Sequence, residues 1–134
     1  SYNGAKVLEA STGKVLFERT IDPKMVPYLE KQAQRGGCAL AFYENDEVVA
    51  TDIHNPHIVD EAQMNNMALR QVDSISEALE GLGDDQQTWP TEVILVNDDE
   101  EVLTGLEEHL QRHLNGVMDT IHSNPYYLEI VAMP

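Results

Sequence analysis

Cys38-Ala39-Leu40-Ala41-Phe42-Tyr43-Glu44 alternates bulky and small residues with a period of two. In an extended chain successive side chains point to opposite faces, so Cys38, Leu40 and Phe42 share one face and Ala39, Ala41 and Tyr43 the other. The bulky face suits a core roofed by helices. The small-residue face leaves room, either for a ligand or for another backbone packed onto the alanines. Asn45-Asp46 then turns the chain into a second extended run over 47–53, so the stretch opens a hairpin.

Working outward from this hairpin, the segment before it reads as a helix. Asp22 can accept a hydrogen bond from an early backbone N–H, and Pro23 suits the first helical position because its missing donor would be unpaired anyway. Met25, Leu29 and Ala33 recur at helical spacing, with Val26 widening the stripe, and Gly36-Gly37 supplies a left-handed stop. Upstream, 5–10 and 14–20 read as two short strands around Ser11-Thr12-Gly13. Downstream, 54–89 is the least regular third. The spacing predicts a helix over 59–69, and Ser74-x-x-Glu77 resembles a capping box opening a short helix with Ile75, Leu79 and Leu82. Gly81, Gly83 and Asp84-Asp85-Gln86-Gln87 form a loop. A strand over 92–97 leads to a helix capped by Asn97 or Asp98 and carrying Leu103, Leu106, Leu110 and Leu114. Gly116 closes it, and strands over 117–122 and 127–132 follow. This order gives an α/β (α+β) open-faced sandwich, a mainly antiparallel sheet with helices on one face.

The chain's 134 residues, 42% of them hydrophobic, suffice for one domain spanning 1–134 and its own core. Its single cysteine, Cys38, excludes an internal disulfide framework and sits in an apolar run where a buried thiol is expected. Eight Lys and Arg against 24 Asp and Glu give a net charge of −16, which repels phosphate backbones and anionic lipid. Nucleic acid and membrane are therefore excluded as partners. The acidity fits an ordinary solvated surface or an origin in high salt. The chain begins with Ser, shows no charged-then-apolar leader, and has no apolar run near the ~20 residues of a membrane helix, so a cytoplasmic location is the expectation.

Catalytic groupings are missing from the sequence itself. There is no Asp-x-Asp pair, no nucleophile elbow and no phosphate-cradling glycine loop. Asp98-Asp99-Glu100-Glu101 sits at a helix start, where negative charge offsets the helix dipole. His109 and His113 stand four apart, a spacing that can hold zinc, yet Leu110 occupies the position a zincin gives to Glu. His54 and His57 bracket Asn55-Pro56 in a turn-like stretch, with no nucleophile placed beside them by spacing.

Two borders carry a resemblance. Tyr2-Asn3-Gly4-Ala5 at the start, and Ser123-Asn124-Pro125-Tyr126-Tyr127-Leu128-Glu129-Ile130 some 120 residues later, resemble the edges of the cap domain inserted in Cof-type phosphatases of the haloacid dehalogenase (HAD) superfamily. The order of elements between them is similar as well. The resemblance implies a type-two cap, with the catalytic core domain absent from this chain. It implies a parent enzyme that is a Mg²⁺-dependent phosphatase of sugar phosphates, nucleotides or phosphorylated cofactors. In such an enzyme the core carries an Asp nucleophile and a second Asp two residues on, near Mg²⁺. The cap's partners would be its own core domain and a small phosphorylated substrate. Carried over by position, Asn3 and Gly4 lie in the segment leading into the cap near the active site, and Tyr126 and Glu129 in the segment leading out. Tyr43 joins these substrate-binding candidates from strand alternation alone. No catalytic residue and no metal ligand is expected within the chain. Many relatives carry Lys where this chain has Glu92, a departure that speaks against a cation-mediated role there. Against the cap stand two rivals, a free-standing small-molecule-binding or regulatory α/β module and a protein-interaction domain using the open sheet face.

Overall fold

In the computed structural model, which describes residues 6–8 and 15–133 with side chains from Arg19 onward, β1 (Lys6–Leu8) and β2 (Val15–Glu18) pair antiparallel as a separate ribbon. The expected turn at Ser11-Thr12-Gly13 lies outside the described residues. A short 3₁₀ turn, Pro23–Met25, then runs into α1 (Val26–Gly36). The Asp22 carboxylate accepts from the Lys24 N–H at 2.9 Å, and Gly37 takes φ +67 at the far end. Both stops expected from sequence are therefore in place, for the reasons that prescribed them.

Next come β3 (Ala39–Glu44), β4 (Glu47–Ala50), α2 (Pro56–Met64) and β5 (Ala68–Gln71). They are followed by α3 (Ile75–Glu80), β6 (Glu92–Val96), α4 (Glu100–His113), β7 (Met118–Asn124) and β8 (Tyr127–Ala132). Six of these strands form one sheet in the order β5-β4-β3-β6-β8-β7. Every pairing in it is antiparallel except β4 with β5. That parallel neighbour needs a crossover, and α2 is the crossover.

α1, α3 and α4 pack on one face of the sheet. Leu40, Phe42, Val49, Val93, Leu95, Leu128 and Ile130 meet Leu29, Ile75, Leu79, Leu103 and Leu110 there, all of them buried. Full burial of each such side chain stabilises the fold by about 1.5–3 kcal/mol. α1 and α3 are also joined by charge. The Glu30 carboxylate of α1 accepts from the Ile75 N–H at 3.0 Å, the Ser76 N–H at 3.2 Å and the Ser74 and Ser76 hydroxyls. It satisfies donors at the start of α3 that the helix cannot pair internally. The Ser74 hydroxyl accepts from the Glu77 N–H at 3.3 Å, as the capping box requires.

The middle third differs from expectation. The helix runs over Pro56–Met64 rather than 59–69, and Leu69 lies in β5 opposite Val48. Asn55 caps the start by accepting from the His57 N–H at 2.9 Å, and Asn66 at φ +53 breaks the run. Ile58 and Ala62 from the helix share one apolar cluster with Met67 and Leu69 beyond it. Helical spacing therefore reads straight through a break that only the backbone reveals. α2 also packs on the second sheet face, opposite the other helices. Asp99, not Asn97 or Asp98, caps α4, accepting from the Glu101 N–H at 3.0 Å. Asn97 instead supports Asp99, whose N–H donates to its side-chain oxygen at 2.8 Å, and donates at 3.0 Å to the Gly36 carbonyl at the end of α1. No described helix is long and apolar enough to cross a membrane.

Candidate functional site

The second face of the sheet is laid out by strand register. Ala41 on β3 pairs with Ala50 on β4 and Ile94 on β6, and Ile94 pairs with Glu129 on β8, which pairs with Ile121 on β7. One row towards the chain's end, Tyr43 stands beside Val48, and Glu92 beside Val131. One row the other way, Ala39 pairs with Val96, and Val96 with Tyr127. The small face expected from Cys38–Glu44 alternation is thus an alanine centre with polar groups around it. α2 covers part of this face through Ile58 and Ala62, and Glu61 comes with them by helical spacing.

Tyr43, Glu61, Glu92 and Glu129 form the polar part, all buried. The Tyr43 hydroxyl donates to Glu61 Oε1 across the gap between β3 and α2. Burial first, then this bond to Glu61, pushes the Tyr43 phenol well above its ordinary range. Burial, then the charges of Glu129 and Glu61, pushes Glu92 up to about 8. The buried Glu92–Glu129 pair thus holds a proton more tightly than an ordinary carboxyl does, because two like charges cannot both be accommodated there.

A second grouping stands at the far end of the sheet, where β7 turns into β8. The His57 ring stacks on Tyr126, with centroids 4.7 Å apart and planes 20° apart, and meets Tyr127 edge-on at 5.9 Å. His57 Nε2 lies 2.6 Å from Asp98 Oδ1, and the Tyr127 hydroxyl donates to the His57 carbonyl at 2.8 Å. Three loops, at the head of α2, after β6 and between β7 and β8, are pinned together here.

Of the residues singled out from sequence, Tyr43 and Glu129 share the alanine-lined face, and Tyr126 does not join them. It sits half-exposed in the turn between β7 and β8, the two strands expected on either side of it. Asn3 and Gly4 lie outside the described residues. Glu61, Glu92 and His57 were not identified as site residues by sequence reasoning. Two of them had a signal: Glu92 shares the alternation of Ile94 and Val96, and Glu61 falls three after Ile58 once α2 is started at Pro56.

The described residues hold no nucleophile positioned against a base. No three His, Cys, Asp or Glu side chains among them are grouped as a metal would need. His109 and His113 stack at 4.1 Å, and His113 Nδ1 donates to the His109 carbonyl at 2.9 Å, which takes up the nitrogen nearest the helix. Cys38 is half-buried with its thiol pushed up by burial, the opposite of an activated nucleophile. What the face offers is hydrogen bonding in an apolar setting, with negative charge that disfavours a phosphate group beside it.

Comparison with known proteins places this geometry. The profile of the haloacid dehalogenase-like hydrolases matches residues 1–133. A haloacid dehalogenase-like hydrolase from Bacteroides thetaiotaomicron superposes with TM-score 0.80 at 25% identity, over 99% of this chain and 47% of that one. TM0651 from Thermotoga maritima superposes with TM-score 0.72 at 26% identity, over 99% and 46%. BT1666 from Bacteroides thetaiotaomicron, a phosphatase of the HAD superfamily, shares the fold with TM-score 0.64 at 18% identity, over 97% and 43%. The chain thus spans just under half the length of the structures it matches. Among curated proteins none matches the chain.

Proposed function

Because the chain belongs to the family of haloacid dehalogenase-like hydrolases, we propose that it is the substrate-specificity cap of a phosphatase acting on a small phosphorylated metabolite. The observation that carries this reading is the two-sided sheet. One face is sealed by α1, α3 and α4, and the other, covered in part by α2, buries Tyr43, Glu61, Glu92 and Glu129 around Ala41 and Ala50. The cap closes with this side towards a core domain, excludes water and holds the part of the substrate that is not phosphate. The charge distribution supports that division of labour. A chain of net charge −16 repels a dianionic phosphate and leaves it to the core. Hydroxyl groups of a leaving sugar or cofactor suit the carboxyls of the second face as hydrogen-bond partners. Magnesium and the reacting aspartates belong, on this reading, to the core domain, which is the cap's partner.

The test is phosphatase turnover with sugar phosphates and p-nitrophenyl phosphate, for this chain alone and for a polypeptide joining it to a family core. The chain alone is expected to unfold cooperatively, as a folded domain does, and to hydrolyse nothing. The joined polypeptide is expected to hydrolyse in the presence of Mg²⁺. Mg²⁺-dependent turnover by the clean chain would overturn the proposal.

A further inference from the structure

A cleft of about 620 Å³ opens on the helix-covered side, between the start of α1 and the loop that follows α3. Pro23 and Pro27 give it an apolar wall, and Trp89, the one tryptophan of the chain, lines it with them. The indole is held in place. Its Nε1–H donates to the Gly83 carbonyl at 3.0 Å, and Gly83 adopts φ +68, a left-handed geometry that suits glycine. The Thr88 hydroxyl donates to the Asp85 carbonyl at 2.7 Å and stiffens the same loop. Three carboxylates, Asp22, Glu80 and Asp84, line the cleft against one ammonium, Lys24.

A fixed aromatic ring, a hydrocarbon wall and an excess of negative charge are the features that recognise an organic cation. The volume falls in the range of about 300–1,000 Å³ in which small-molecule pockets occur. A bare metal ion is a poor fit, since no described set of three ligands converges here. We propose that this cleft binds a small organic cation, an alkylammonium with a short hydrocarbon body, at a site separate from the alanine-lined face. The ammonium lies against the exposed carboxylates of Glu80 and Asp84, and the hydrocarbon body lies against Trp89 and the proline wall. The site borders the point where the chain enters α1, because the Ile21 N–H donates to the Pro90 carbonyl at 2.8 Å directly beside it. An occupant therefore bears on the junction between the β1–β2 ribbon and the main sheet. The proposal does not depend on the cap reading.

The test is a titration of the chain with n-butylammonium, followed by the indole N–H resonance and the fluorescence of Trp89. Butyrate and n-butanol at matched ionic strength serve as the anionic and neutral controls. Saturable binding of butylammonium is expected, with no saturation by either control. Glu80→Gln and Asp84→Asn, both at exposed positions, should each weaken it about fivefold with the fold intact by circular dichroism. A linear response, an equal response to butanol or butyrate, or an affinity unchanged in both variants would overturn the proposal.

Discussion

A carboxyl buried beside a second carboxyl binds its proton more tightly in the folded chain than in the unfolded one, and Glu92 occupies that position next to Glu129. Its folded value of about 8 lies above the ordinary 4.5, so the folded state holds the extra proton between these values. The contribution to stability is complete below the ordinary carboxylate range and is lost as pH rises through about 8. Urea unfolding across this range should therefore show the native chain losing stability relative to Glu92→Gln, which cannot ionise. Parallel pH profiles for the two proteins would contradict the assignment. Tyr43→Phe removes the hydroxyl that donates to Glu61 and is expected to cost about 1–3 kcal/mol at neutral pH. An unchanged urea midpoint would mean that the bond contributes nothing to the fold.

At the scale of elements, the hinge of the helical layer is Glu30, which reaches from α1 to the start of α3. Glu30→Ala should destabilise the protein by about 1–3 kcal/mol, and amide exchange should speed up first over Ile75–Glu80. Uniform acceleration across α1 and α4 instead would show that α3 does not depend on this carboxylate. The elements legible in the sequence are those whose ends carry their own chemistry. α1 has Asp22 and Pro23 before it and Gly37 after it, and β3 declares its two faces by alternation. β5 is illegible because Ala68–Gln71 has no apolar–polar alternation, and it exists by pairing in parallel with β4. α2 was misplaced because its apolar stripe continues through the break at Asn66 into β5. The site was legible to the same extent. Tyr43 follows from alternation within one strand, whereas its grouping with Glu61, Glu92 and Glu129 needs the register of three strands and a crossover helix. His57 meets Asp98 across 41 residues of sequence, and no local pattern announces that pair.

At the scale of the molecule, a net charge of −16 on 134 residues means that like charges repel across the whole folded surface. Raising salt from about 20 mM to about 0.5 M NaCl screens that repulsion and should raise the Tm by roughly 3–5 °C. A falling Tm would show that attractive ion pairs such as Arg70 with Glu44 outweigh it. The same charge supports a division in which phosphate chemistry is left to another domain. The measurement that tests it most directly is the coding sequence on both sides of this segment. A cap is expected to be flanked in frame by Asp-x-Asp-Gly-Thr upstream, supplying the nucleophile and its acid–base partner, and by a lysine followed by a Gly-Asp-containing acidic loop downstream. A start codon directly before the segment and a stop codon directly after it would rule out the cap and leave a free-standing binding module.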